Sequence, residues 1–382
     1  MSTPRVPGAA APDDALPDDS PSTVPGLPPS AVSSPRTDPG SRAASPWRPS
    51  HRSTETATTI GHIGRYALKY SLGEGGTGTV YAAHDPLLSR PIAVKTLHVD
   101  VAQEQRAAFN SLFLDEARAA AALSHPQSVT VFDAGISDDR AYIAMELLRG
   151  RDLRQLRRDG WRPTPAQAAL IGRRVADALA YAHGKGVVHR DIKPANIFMT
   201  GRTQPRVLDF GIARIAHGRD ARSGAELAAG SPHYMAPEQV RQQPSDGRSD
   251  VFSLGVVLYE LLTDVKPFRG GSLAEITRAV LEHEPPRADM ANRAVPPGLA
   301  AIVAKAMAKD PGQRYPSAGA LARELRRWLD EHEDVAAPPV PPPPAPERRV
   351  LLRGARLAWA SALAATVLAL LAAVGWYLAR WR

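Results

Sequence analysis

Cysteine is absent from the 382-residue chain. That excludes disulfides, thiolate metal sites and a cysteine nucleophile. Aromatic residues make up only 6% of the chain, and no dense Lys/Arg run is interleaved with them. The net charge of +8 is instead spread along the sequence. This is not the footprint of a nucleic-acid binder, so no nucleic-acid partner is expected. No continuous apolar core follows the first residues, which excludes a secretory signal peptide. No fixed-period repeat is present, so solenoids and propellers are excluded. What is there suits a folded protein: 43% of residues are hydrophobic and 23% charged.

The composition is uneven. Residues 1–60 are rich in Pro, Ser, Ala, Asp and Thr and poor in large apolar side chains. They cannot bury enough surface to offset chain entropy, so a disordered N-terminal arm is expected. Residues 66–330 carry short apolar runs bounded by Gly, Pro and Asp. "TVYAAHD" and "PIAVKTL" read as strands joined by a turn near Pro86 to Arg90, and "SVTVFDAGI" and "RAYIAMELL" as two more. "QRAAFNSLFLDEARAAAAL" has apolar residues at helical spacing. After Gly150 the pattern turns mostly helical. A strand-rich part followed by a helix-rich part predicts two unlike lobes in an α+β domain.

Residues 335–349 form a Pro-rich linker, with an extended polyproline tract at 336–346. Residues 357–379 then run without a charge. Twenty-three residues at about 1.5 Å each span about 35 Å, against about 30 Å of bilayer core. Trp359, Trp376 and Tyr377 sit near the ends, and Arg348, Arg349, Arg353 and Arg356 precede the run. A single transmembrane helix is expected, with the preceding side in the cytoplasm. A buried core helix is the weaker alternative, because nothing follows the run to cover it. Only three residues follow, so no sensor ectodomain is expected.

Three motifs carry chemistry. In "LGEGGTGTV", Gly73, Gly75 and Gly78 stand at GxGxxG spacing. Glycines let backbone amides approach phosphates without a Cβ clash. The same spacing marks dinucleotide-binding turns, but a helix would then follow. Here strand formers follow, which favours a strand–loop–strand lid made of Leu72, Gly73, Glu74, Gly75, Gly76, Thr77, Gly78, Thr79 and Val80. Lys95 ends the strand "IAVK", where an ammonium can meet α- and β-phosphates. Glu116 on the next helix can hold that ammonium. Asp115 is its rival, but the stripe Phe113, Ala117, Ala120 and Ala121 turns Glu116 inward. In "VVHRDIKPANIF", Asp191, Lys193 and Asn196 fall within six residues. A carboxylate can accept the proton of an attacking hydroxyl, a lysine can neutralise a transferring phosphoryl group, and an Asn oxygen can ligate Mg2+. "VLDFG" adds Asp209 as a second metal ligand.

With these motifs in order, residues 66–330 resemble the eukaryotic-like (Hanks-type) serine/threonine protein kinases of bacteria. The matching series is Gly73–Gly78, Lys95, Glu116, His189–Arg190–Asp191, Asn196, Asp209–Phe210–Gly211 and Ala236–Pro237–Glu238, then Asp250 and Arg314. The resemblance implies a bilobal kinase fold, a small β-rich lobe and a larger helical one. It implies ATP and Mg2+, with Mn2+ as the substitute metal, and protein substrates bearing Ser or Thr. Asp191 would be the catalytic base, with Lys193 and the Lys95–Glu116 pair assisting. Asn196 and Asp209 would hold the metal, Met145 would be the gatekeeper, and Glu146 and Leu148 would bind adenine through their backbone. Glu238 and Arg314 would form a buried structural ion pair, and Asp250 would anchor the catalytic loop. "DIKPAN" and Ser231 point to the serine/threonine class. Arg190 points to activation-loop phosphorylation, with Ser223 the suggested site and a plain mobile loop the equal alternative. A kinase-domain homodimer would serve autophosphorylation. The expected setting is a single-pass protein of the bacterial inner membrane with its kinase domain in the cytoplasm. The rival reading from another class is a membrane-tethered pseudokinase scaffold.

Overall fold

Strand formers dominate the first ordered stretch, and it pairs into a sheet. The computed structural model describes residues 57–75, 78–97, 103–210 and 232–332. Strands β1 (Gly61–Ile63), β2 (Tyr66–Gly75), β3 (Gly78–Asp85), β4 (Arg90–Leu97), β5 (Val131–Ser137) and β6 (Arg140–Met145) form one sheet in the order β1-β2-β3-β4-β6-β5. Every neighbouring pair is antiparallel. One face is covered by α1 (Arg106–Ala121), whose Phe113 and Ala117 pack with Leu97, Val129, Ile143 and Met145.

Beyond Gly150 the chain is mostly helical. A small sheet of β7 (Arg151–Asp152), β8 (Ile197–Gly201) and β9 (Gln204–Val207) lies beside α2 (Leu153–Arg158) and α3 (Pro165–Gly184). Then come α4 (Pro237–Val240), α5 (Gly247–Thr263), α6 (Leu273–Glu282), α7 (Ala288–Ala291), α8 (Pro297–Ala306) and α9 (Ala318–Glu331). Local chemistry sets their starts. Thr164 closes a capping box with Gln167 ahead of Pro165 at the first helical position, and Asp152 closes another with Gln155. Asp246 caps α5, so that helix begins before the apolar run "VFSLGVVLYELLT".

Helix α5 is the axis of the helical part. Every residue from Ser249 to Thr263 is buried, as expected of a helix that is apolar nearly all round. α3 crosses it at Gly172, where an added Cβ would lie 2.7 Å from Leu258 Cδ2. Only glycine permits that approach without displacing the leucine.

The expected strands and long helices are present, with two differences. Ser128–Thr130 do not join β5; Ser128 instead bridges to Val207 in parallel, carrying the chain onto the other sheet. Glu146–Leu148 leave β6 as a connection between the two parts. Among the described residues no helix is long and apolar enough to cross a membrane. The calls on the linker 335–349 and the helix 357–379 lie outside the described residues, as does the arm up to residue 56.

Below α5 a buried ion pair joins distant segments. Arg314 meets Glu238 in two parallel bonds of 2.7 and 2.8 Å. It also donates to the carbonyls of Ala308, Arg248 and Lys309, so all five N–H groups are satisfied. Ser249 Oγ donates to Glu238 at 2.6 Å. Burial pushes the Glu238 carboxyl up, but the bonds from Arg314 and Ser249 outweigh it and hold it below its ordinary 4.5. Its contribution to stability is therefore full above that value and is lost as pH falls through the lowered one. Glu238→Ala should destabilise the domain by about 3–5 kcal/mol, because it strands a buried guanidinium. The double change Glu238→Leu with Arg314→Met should recover much of that. Urea denaturation midpoints at neutral pH check both.

Candidate active site

The two parts of the domain face each other across a cleft of about 1040 Å³. Leu72, Val80, Ala93, Met145 and Leu148 give it an apolar wall suited to a flat ring. Gly73, Glu74, Gly75 and Gly78 form the rim above them. Gly78 has φ +147, and a Cβ there would sit 1.8 Å from Thr96 O, so the β2–β3 turn requires glycine. Gly73 and Gly75 have nothing within 4 Å of an added Cβ; their bareness leaves room above the cleft. Gly76 and Thr77 lie outside the described residues. Thr79 is buried within the sheet and is not part of the cleft wall.

The loop below the cleft is held by Asp250 of α5. Its buried carboxylate accepts from His189 N at 2.8 Å and Arg190 N at 2.7 Å, and pairs with His183 Nε2 at 2.8 Å. Arg190 has φ 65, a left-handed conformation that a side-chain-bearing residue avoids. Such strain costs about 1–3 kcal/mol and persists only where neighbours over-determine it. Asp250 does so from the N–H side, and Gln239 Nε2 donates to the Arg190 carbonyl at 2.9 Å. His189 is fully buried. Its Nδ1 accepts from Asp191 N at 3.2 Å while its Nε2 faces Leu208 O at 2.7 Å. These partners assign a neutral imidazole protonated at Nε2. Its ring stands edge-on to Phe210 with centroids 5.0 Å apart.

Asp191 is thereby fixed at the edge of the cleft. Lys193 Nζ lies 2.7 Å from Asp191 Oδ2. Asn196 Nδ2 donates to the Asp191 carbonyl at 2.8 Å and to Oδ2 at 3.0 Å. With its nitrogen committed to Asp191, the amide oxygen of Asn196 is the end left for a cation. Leu208 N donates to Asn196 O at 2.9 Å, which ties that loop to the residue before Asp209.

Asp209 also sits at positive φ, 60. Burial pushes its carboxyl up, but the Lys95 ammonium, by charge and by its hydrogen bond, and then Lys193 outweigh it and hold it below the usual carboxylate range. An ionised carboxylate beside an amide oxygen is a hard donor set that fits Mg2+, which takes its remaining ligands from phosphate and water. Among the described residues no group of three or more His, Cys, Asp or Glu side chains is placed to hold a metal alone.

The structure differs from the expected lysine pair. Lys95, only 5% exposed, is bonded to Asp209 Oδ2 at 2.7 Å. A Lys95–Glu116 pair is not among the described contacts, and Glu116 is half-buried on α1 with an interaction of its own. The reason is electrostatic: Asp209 is the carboxylate that reaches the buried ammonium in this conformation, and the pair neutralises both.

Sequence reasoning missed Arg206. It donates to the carboxylate of Glu146, in the connection between the two parts, and to Pro126 O at 2.6 Å. Next to it, Val207 receives Val129 N at 3.0 Å and gives its own N–H to Gln127 O at 2.7 Å. β9 thus binds the connection and the turn before β5 to the strand that leads into Asp209. A basic residue three before Asp209 was the only sequence signal.

This cleft, with a fixed Asp–Lys–Asn loop below a glycine rim, is the site of a protein kinase. The sequence model of the protein kinase domain matches residues 66–325, and the chain belongs to that family. It is similar to the serine/threonine-protein kinase PksC of Streptomyces coelicolor, at 40% identity over 287 residues, covering 72% of this chain and 50% of that protein. It is 38% identical over 289 residues to PknB of Mycobacterium tuberculosis, covering 74% of this chain and 46% of the relative. PrkC of Bacillus subtilis matches at 38% over 267 residues, covering 70% and 41%. The chain therefore spans half or less of the length of these relatives. Among solved structures, the kinase domain of Mycobacterium tuberculosis PknI superposes with a TM-score of 0.55 at 26% identity, covering 71% of this chain and 98% of that one.

Removing the Arg206 brace should loosen the connection that carries Glu146 and Leu148. Arg206→Ala should weaken ADP binding about three- to tenfold, in line with about 0.5–1.5 kcal/mol for one such bond. Arg206→Lys should recover part of the loss. Fluorescent-nucleotide titration checks this independently of turnover.

Proposed function

We propose that this chain is a serine/threonine protein kinase that moves the γ-phosphoryl group of ATP onto Ser or Thr hydroxyls of proteins, its own included. The observation that carries the proposal is the fixed Asp191 carboxylate, with Lys193 at 2.7 Å and Asn196 at 3.0 Å, beside the Lys95–Asp209 pair. Asp191 orients the acceptor hydroxyl and takes its proton. Lys193 neutralises charge growing on the transferring group, and Lys95 meets the phosphates. Glu116 is the residue that would receive Lys95 when it turns from Asp209. Asn196 and Asp209 would hold Mg2+, which offsets phosphate charge when bound. Glu146 and Leu148 frame the adenine end of the cleft. The serine/threonine class rests on Lys193 within "DIKPAN" and on the relatives' class. No chemical group is missing from the set, so a scaffold without activity is not favoured.

We place the chain at the bacterial inner membrane, held by residues 357–379, with the kinase domain in the cytoplasm. The charge-free run, its terminal Trp and Tyr residues and the arginines before it support that reading. The need for ATP supports the cytoplasmic side. A kinase-domain homodimer is the arrangement that would let one copy phosphorylate another.

Asp191→Asn should lower phosphoryl transfer about 10²–10⁴-fold with nucleotide binding retained. Radiolabelled transfer with phosphosite mapping checks this, and label on Tyr alone would overturn the class. In membrane fractionation the full chain should sediment with the bilayer, and deletion of 357–379 should release it.

A further inference from the structure

Two adjacent residues of α4 answer two adjacent residues of α5. Glu238 accepts from Ser249 Oγ at 2.6 Å, and Asp250 accepts from Arg190 N at 2.7 Å. Gln239, next to Glu238, closes the circuit by donating through Nε2 to the Arg190 carbonyl at 2.9 Å. Its partners fix which end of the amide points where. Oε1 accepts from Ala236 N at 2.9 Å, and a backbone N–H can face only the oxygen. The nitrogen is therefore committed to Arg190. The place of α4 is itself held. Glu238 takes two bonds from Arg314, and the Tyr234 carbonyl, just ahead of the helix, takes one from Ser253 Oγ at 2.7 Å.

Asp250 holds the amides of His189 and Arg190, which belong to the two peptide units before the one that carries Asp191. The Arg190–Asp191 unit is held differently. Its N–H goes to His189 Nδ1 at 3.2 Å, a partner in the same loop that moves when the loop moves. Its carbonyl goes to Gln239. Among the described residues, this is the hydrogen bond that reaches that peptide plane from outside the loop. A peptide unit is planar, so holding both ends sets the direction in which the next side chain leaves.

Resting on the kinase reading above, we infer that Gln239 is a positioning residue for phosphoryl transfer: it locks the Arg190–Asp191 peptide plane and so aims the Asp191 carboxylate at the acceptor hydroxyl. It does not line the cleft and acts only through Asp191. Without its N–H, the left-handed Arg190 keeps its bond to Asp250, but its carbonyl is released and Asp191 turns with it. A misplacement of about 1 Å costs about 10²-fold in rate.

The test uses the full chain with ATP, Mg2+ and dephosphorylated casein as acceptor. Gln239→Glu keeps the side-chain shape and an oxygen for Ala236 N, but it has no N–H for the Arg190 carbonyl. Its kcat should fall about 10–100-fold, with KM for ATP and the affinity for fluorescent ADP within about twofold. Its thermal midpoint should stay near that of the unaltered chain. Gln239→Lys returns a donor and removes the acceptor for Ala236 N. It should recover part of the lost kcat even as its midpoint falls. A kcat within about twofold of the unaltered chain in the Glu variant would overturn the inference and leave the kinase reading standing. So would a Lys variant no faster than the Glu variant. A fall in kcat no larger than the fall in the fraction that binds ADP would mark a merely structural role and overturn it as well. No transfer by the unaltered chain, to casein or to itself, would overturn the kinase reading and this inference together.

Discussion

A buried carboxylate accepting two consecutive backbone amides organises the centre of this molecule. Asp250 is fully buried, which would be prohibitive for a charge without partners. It has three, from His189, Arg190 and His183. Because α5 is buried from Ser249 to Thr263, Asp250 is anchored in the core, and the loop hangs from it through the amides of His189 and Arg190. The left-handed Arg190 turn then aims Asp191 at the cleft. The strain of that turn is held by α5 and by Gln239 of α4 together. Loop geometry and helical core are in this sense one structure.

The second organising element is β9. One face of its strand collects the turn before β5, through Val129 and Gln127, and the interlobe connection, through Arg206 and Glu146. Its end delivers Leu208 to Asn196 and Asp209 to Lys95. Asp209, its partner Lys95 and the connection that carries Glu146 are thus positioned by one short strand. The mouth of the cleft obeys different physics. There Arg154 and Arg158 of α2 stand exposed to solvent, and Arg157 turns inward to Glu260.

Much of the fold was legible. Strand patterning at 78–97 and helical spacing at 106–121 and 165–184 matched the elements found, because local periodicity and caps act over a few residues. Short elements were not legible: β7 exists only because Arg151–Asp152 find Met199 and Phe198 across the chain. The parallel bridge of Ser128 to Val207 was hidden for the same reason, since its strand propensity fits either sheet.

At the site, the sequence by itself determined which groups exist. It fixed their spacing as well: a carboxylate, a lysine and an amide within six residues can only share one loop. That Gly78 must be glycine was decided by the sheet, since an added Cβ would meet Thr96 O on the neighbouring β4 at 1.8 Å. Tertiary structure alone decided the pairings. Lys95 and Asp209 are 114 residues apart, and their 2.7 Å bond arises where two lobes meet. Arg206 gained its role only because folding placed Glu146 beside it. Spacing along a chain constrains neighbours; ion pairs between distant segments depend on which charge arrives nearest once the core has closed.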